Sequence, residues 1–318
     1  MGIVLALDFG GTKLTAGVVE TAVYHTQSLI WQARQQIYTP ANGSAQDDLA
    51  GMMALGQEVL AGKQAAAVGV SFGGPADFQR GLIYLSHHVS GWEETPLQAM
   101  VTAAFNAPTR IDNDANAAAL GEWRFGAGQG VDDLLYITVS TGVGGGWILG
   151  GRPVRGHNSM AGEIGHTVVD PNGPLCLCGK QGCVERLASG PYMAADWSAT
   201  QADNPQIVTG QDVAEMAANG DAIAQRLLLR SAWALGLGIG NAVNLLNPQL
   251  VILGGGVTKA GPGWWEKVRQ TAHETVLPQA IFEIIPAATG DDAPLWGAVA
   301  LVETLVGAAN KPAPTSSG

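Results

Sequence analysis

The chain has 318 residues, enough for a large core and two domains. It is 47% hydrophobic and 14% charged, the balance of a well-packed globular protein. A net charge of -11 and a pI near 4.9 argue against nucleic acid as a partner, because phosphate backbones are held by basic patches. A single nucleotide stays open, since loops and helix ends bind phosphate through backbone N–H groups.

Met1 leads at once into Ile3–Phe9 with no basic leader and no small-residue cleavage site, so no signal peptide is expected. Ile3–Phe9 is predicted as a strand, turned by Gly10-Gly11 into a second, Leu14–Val19, with a third over Ser28–Ile37. Asp47–Leu60 carries Leu49, Met52, Met53, Leu55 and Leu60 at helical spacing. Ala66–Phe72 is a buried-type strand that ends in Gly73-Gly74-Pro75. Helix Pro96–Phe105, strand Thr109–Ile111 and the alanine-rich helix Ala115–Arg124 follow. Leu134–Ser140 opens a second strand, turned at Gly142–Gly146 and continued as Trp147–Leu149. This repeats the opening pattern and suggests a duplicated architecture with a cleft between the halves. Val184–Leu246 is mostly helical, and its most apolar stretch, Ala232–Leu246, is broken by Gly236, Gly238, Gly240, Asn241 and Asn244 and so is too interrupted for a membrane span. Strand Leu250–Leu253, helix Trp264–Val276, strand Phe282–Ile285 and helix Pro294–Val306 close the chain, before a tail from Ala308 expected to be disordered.

All three cysteines, Cys176, Cys178 and Cys183, fall in one window with His166 upstream. An odd, clustered thiol count is not a disulfide framework. Three sulfurs and an imidazole make the tetrahedral set of a structural zinc site, with Gly173, Pro174, Gly179 and Gly182 supplying turns. The competing reading is three unrelated buried cysteines, which pack well as small hydrophobes. Reduced thiols without an export signal point to the cytoplasm.

D-F-G-G-T-K, Asp8–Lys13, lies at a strand–turn–strand and is not a P-loop. Its Gly10 and Gly11 leave N–H groups for phosphate oxygens, Thr12 and Lys13 add donors, and Asp8 can hold magnesium through water. Alone, a Gly-Gly pair is more often a plain hairpin. The second glycine turn, Ser140–Gly146, raises the odds, since two such hairpins can pinch a polyphosphate. Leu253–Val257 follows a strand with bare glycines that admit a flat adenine ring, or is an ordinary strand–helix turn.

In I-D-N-D-A-N-A-A-A-L-G-E, Ile111–Glu122, Asp112 or Asn113 can cap a helix whose first turn holds Asp114. The helix dipole keeps such a carboxylate ionised, and it can take a proton from a hydroxyl attacking a γ-phosphate. The alternative is that both acids only cap the helix.

C-L-C-G-K-Q-G-C-V-E, Cys176–Glu185, resembles the C-x-C-G-x-x-G-C-x-E signature of the ROK sugar kinases, and the spacing from the histidine of E-I-G-H, Glu163–His166, agrees. D-F-G-G-T-K resembles the first phosphate motif of that family and of the actin-like ATPases. Ser140–Gly146 resembles the second, and Gly254–Gly256 the adenosine motif. The resemblance implies an α/β fold of two ribonuclease-H-like domains around a cleft. A small N-terminal domain of residues 1–112 with 297–318 would accompany a large one of residues 113–296. It implies nucleotide contacts at Asp8, Gly10, Gly11, Thr12, Lys13, Thr141, Gly142, Gly255 and Gly256. It makes Asp114 the general base and gives sugar contacts to Gly74, Asn113, Asp114, Glu163, His166 and Glu185. His166 would serve both sugar and zinc. For Glu163 and Glu185 the alternative is surface carboxylates, the usual fate of Glu, against which their bracketing of the zinc window argues.

Two departures stand out. Gly73 replaces the family's usual proline, and His88 in Ser86–Trp92 stands where an asparagine is the pattern. They bear on which sugar binds; His87 and His88 are as readily exposed loop residues. The implied cofactors are ATP, Mg2+ and structural Zn2+; the implied assembly is a homodimer. The expected activity is phosphorylation of a hexose 6-hydroxyl, glucose first, with fructose, mannose, allose or N-acetylmannosamine as alternatives. The family's repressors carry a DNA-binding domain before the D-x-G-G-T-K strand; here that strand begins at residue 3 and the charge is acidic, so a repressor is disfavoured, as is a sensor without catalysis.

Overall fold

The computed structural model describes residues 2–26, 29–39, 43–86, 89–201 and 207–307. The readings made for Ser28, for His87 and His88 and for the tail from Ala308 lie outside the described residues. The chain divides into two compact units, Met1–Phe125 with Pro294–Gly318, and Gly126–Ala293. Among the described residues no helix is long and apolar enough to cross a membrane.

In the first unit β1 (Ile3–Phe9), β2 (Lys13–Glu20), β3 (Ala33–Tyr38), α1 (Ala45–Leu60) and β4 (Ala67–Phe72) come first. The short β5 (Ala76–Asp77) and β6 (Leu82–Ile83), then α2 (Leu97–Phe105), β7 (Thr109–Asn113) and α3 (Asp114–Phe125) follow. The main sheet runs β3-β2-β1-β4-β7, with β1 antiparallel to β2 and parallel to β4. Its residues Leu5, Leu7, Val68, Val70 and Ile111 are buried in one hydrophobic core with Met52 and Leu55 of α1. Helix α1 starts earlier than its apolar spacing indicates because Ser44 caps it: the Asp47 N–H donates to Ser44 Oγ at 3.3 Å and the Ser44 N–H to Asp47 Oδ2 at 2.9 Å. The closing helix, Ala293–Leu301, is shorter than predicted and belongs with this unit. The Tyr24 hydroxyl donates to the Val299 carbonyl at 2.7 Å, Trp31 stacks on Trp296 at 4.1 Å, and Arg124 holds Glu303 at 2.7 and 2.8 Å.

The second unit repeats the scheme. Its strands and helices are β8 (Leu134–Val139), β9 (Val143–Leu149), β10 (Arg152–Val154), α4 (Val184–Ala188), α5 (Gly190–Ser198), α6 (Gly210–Ala218), α7 (Ala222–Leu246), β11 (Leu250–Gly254), α8 (Pro262–Thr275) and β12 (Glu283–Pro286). The order β10-β9-β8-β11-β12 matches the first sheet strand for strand, with the same antiparallel and parallel pairs. Both sheets have the ribonuclease-H-like arrangement. One expectation is corrected: Gly144, Gly145 and Gly146 are not in the turn but pair in β9 with Thr138, Ile137 and Tyr136. The reversal is confined to Ser140–Gly142. Helix α7 runs unbroken for 25 residues through its glycines, of which Gly236 and Gly240 face α8 and Gly238 faces Val184: a Cβ at Gly236 would lie 2.6 Å from the Thr271 Cβ.

Candidate active site

In the first unit the expected residues gather at the carboxyl ends of the parallel strands, where open α/β sheets bind ligands. Asp8, Ser71 and Asp112 stand side by side across β1, β4 and β7. Asp8 is buried and accepts from Ser71 Oγ at 2.7 Å. The turn from β1 to β2 is tight, its Gly10 N–H donating to the Lys13 carbonyl at 3.0 Å. Neither Gly10 nor Gly11 uses left-handed backbone; at Gly10 the need is room, since a Cβ would lie 3.0 Å from the Lys13 oxygen. Thr12 is exposed and Lys13 half-buried. The Gly73 N–H donates to the Phe9 carbonyl at 2.8 Å, so the Gly73-Gly74 turn hangs on the end of β1.

Of the two capping candidates, Asn113 caps α3. Its Oδ1 accepts from the Ala115 N–H at 2.9 Å and the Asn116 N–H at 3.2 Å. Its Nδ2 donates to the Gly74 carbonyl at 3.1 Å and to Asp114 Oδ1 at 2.9 Å. Asp112 is fully buried and accepts from the Asn113 N–H and Asn116 Nδ2. Asp114, first residue of α3, also takes the Ala115 N–H on Oδ1 at 2.8 Å. Gly74, Asn113 and Asp114 therefore form one hydrogen-bonded group, with a half-buried carboxylate at the positive end of a helix.

In the second unit the Ser140 N–H donates to the Gly142 carbonyl at 2.9 Å and leaves Thr141 exposed at the tip. Gly255, after β11, has φ 89° and packs on β8, where a Cβ would lie 2.5 Å from the Val139 oxygen. Gly256 differs: the nearest atom to a Cβ there is Ser140 Oγ at 3.9 Å. It opens on a cavity of about 1160 Å³ whose lining includes Thr141, Gly190, Ala194, Thr209, Gly256 and Lys259. Sequence reading missed the walls from α5 and α6. Their signal, Ala194, Ala195, Ala214 and Ala218, is the same alanine that favours any helix.

His166, Cys176, Cys178 and Cys183 converge, with ligand atoms all within 4.8 Å of one another. Cys176 Sγ is 3.9 Å from His166 Nδ1, and Cys178 Sγ 3.5 Å from Cys183 Sγ. The thiols are free, and burial pushes that of Cys183 up to about 12. Tetrahedral zinc, with bonds of about 2.0–2.3 Å, needs donor atoms at this order of separation and turns the thiols into thiolates. The donor set fits zinc. Glu163 is half-buried where the chain enters the 3-10 turn Ile164–His166. Glu185, in the first turn of α4, accepts the Val143 N–H on Oε2 at 2.9 Å.

The sequence model of the ROK family matches residues 4–305. The glucokinase of Streptomyces coelicolor is 31% identical over 318 residues, covering 95% of this chain and 98% of that protein. The N-acetylmannosamine kinase of Yersinia pseudotuberculosis is 37% identical over 281 residues, covering 87% and 90%. The crystal structure of a ROK family glucokinase from Streptomyces griseus in complex with glucose and AMPPNP superposes with a TM-score of 0.79, at 31% identity over 93% of this chain and 98% of that one. Motifs, duplicated fold and near full-length similarity agree: the chain belongs to the ROK family.

Proposed function

We propose that this protein is an ATP-dependent sugar kinase that transfers a γ-phosphoryl group to the 6-hydroxyl of a hexose, with glucose the leading substrate. The observation that carries the reading is Asp114, a carboxylate on the first residue of α3 oriented by the Ala115 N–H and by Asn113. It accepts the proton of the attacking hydroxyl. Phosphoryl transfer needs little beyond this base, correct positioning and stabilised charge. Gly10, Gly11, Thr12, Lys13, Thr141 and Gly142 bind the phosphates, and the cavity beside Gly255 and Gly256 takes the adenosine. Asp8 holds hydrated Mg2+, which when bound neutralises the β- and γ-phosphates. Gly74, Asn113, Glu163, His166 and Glu185 bind the sugar hydroxyls. Zinc on His166, Cys176, Cys178 and Cys183 fixes the loop that begins at His166 and is flanked by Glu163 and Glu185, and takes no part in the transfer. The working assembly in this proposal is a homodimer.

The glucokinase relatives and the glucose-bound neighbour support glucose. A second reading, phosphorylation of N-acetylmannosamine, is supported by the Yersinia relative, 37% identical over 281 residues. The test is a coupled ADP-release assay over a panel of hexoses and N-acetylhexosamines, with Asp114→Asn alongside. Glucose is expected to lead, with kcat falling about 10²–10⁴-fold in the variant. Higher turnover of N-acetylmannosamine moves the assignment to the second reading. No turnover of any sugar rejects the kinase.

A further inference from the structure

Glu185 follows the zinc loop by two residues, yet its carboxylate reaches the glycine turn. Oε2 accepts the N–H of Val143, the first residue after Ser140–Gly142, at 2.9 Å. A Cβ at Gly142 would lie 2.7 Å from the same oxygen, so a methyl group there would push the carboxylate aside. The surroundings hold both partners in place. A Cβ at Gly145 would lie 2.7 Å from the Gly162 oxygen, and one at Gly165 would overlap the Val143 carbonyl. The E-I-G-H segment thus lies backbone to backbone on the start of β9. On the other side the Val184 N–H donates to the Thr167 carbonyl at 3.0 Å and fixes the beginning of α4.

We infer that Glu185 is a positioning residue for the nucleotide: by holding the Val143 amide it sets the Gly142 turn in the orientation that receives phosphate. The second half of the inference, that the same carboxylate makes sugar and nucleotide binding cooperative, rests on the proposed sugar role of Glu185. A carboxylate has about four acceptor positions, so a sugar hydroxyl adds to the amide bond rather than replacing it. Each substrate then stiffens the element the other needs, and the coupling is reciprocal. The bare charge argues the other way. A carboxylate beside a phosphate turn repels phosphate, so a residue that merely sits there weakens nucleotide binding. The sign of the change on removing it separates positioning from repulsion.

The experiment is calorimetric titration with Mg2+–AMPPNP in the absence of sugar, on the wild type, Glu185→Ala and Glu185→Gln, with melting temperatures measured in parallel. Glu185→Ala is expected to weaken nucleotide binding about five- to thirtyfold. Glu185→Gln, whose amide oxygen still accepts from Val143, is expected to stay within about threefold of wild type. Gly142→Ala, whose methyl displaces the carboxylate, is expected to weaken sugar binding measured without nucleotide. Unchanged or tighter nucleotide binding in Glu185→Ala overturns the inference and leaves the kinase reading intact. Equal losses in Ala and Gln variants, with matching drops in melting temperature, reduce Glu185 to a structural residue and also overturn it. Unaltered sugar affinity in Gly142→Ala overturns the cooperative half. If the wild type phosphorylates no sugar, the kinase reading falls while the sugar-free titration still decides the positioning role.

Discussion

Asp196 receives hydrogen bonds from two arginines: Arg186 at 2.7 and 2.9 Å and Arg230 at 2.5 Å. Burial favours its neutral form, but the Arg186 and Arg230 donors outweigh that and hold the carboxyl below the usual carboxylate range. Arg186 also lies over the Tyr192 ring at 4.6 Å, and the Tyr192 hydroxyl accepts from the Leu177 N–H at 3.1 Å. Asp196 thereby ties α5 to α4 and α7, and Tyr192 ties the cysteine loop to α5. Since the folded pKa is depressed, its stabilisation is present above the unfolded value and lost as pH falls through the folded one. Melting temperature is expected to hold between pH 7 and 5 and to drop below about pH 4, with Asp196→Asn flattening the descent. At neutral pH that variant leaves two arginines facing each other, at a cost on the order of 2 kcal/mol for so partly exposed a group, readable by denaturant titration. Nothing in the sequence points to this cluster. Arg186, Asp196 and Arg230 follow no motif, and only the packing of α4, α5 and α7 brings them together.

At the scale of the element, the loop from His166 to Cys183 was legible because its ligand types are crowded into one window. Metal analysis of protein purified without chelator is expected to give one zinc per chain. Cys183→Ser should abolish it, lower the melting temperature by roughly 5–10 °C and open the loop to proteases. The second glycine turn was only half legible. Sequence does not distinguish a glycine needed for a reversal from one needed for close approach, and Gly145 is of the second kind, lying against Gly162. The cap of α3 shows the same limit: Asp112 and Asn113 are equivalent in propensity, and burial of Asp112 across β7 decides for Asn113. The strand β10, only Arg152–Val154, was not anticipated because so short an edge has no periodicity to read.

For the molecule as a whole, the repeated strand–glycine–strand pattern was a true sign of duplication, since both sheets have the same order and pairing. The return of the chain to its first unit has a further consequence, because that unit is complete only when the closing helix docks. Removal of residues 294–318 takes away Trp296 from its stack on Trp31 and Glu303 from Arg124. Limited proteolysis of a chain ending at Ala293 is expected to digest residues 1–125 while a fragment near residues 126–293 survives. The same connectivity orders events on the ribosome. Residues 126–293 are all made before the first unit receives its last helix, so the earlier-made half finishes folding later. At roughly 5–20 residues per second, translation leaves the nascent first unit incomplete while residues 126–293 are made, with the apolar surface meant for Leu295, Trp296 and Val299 uncovered.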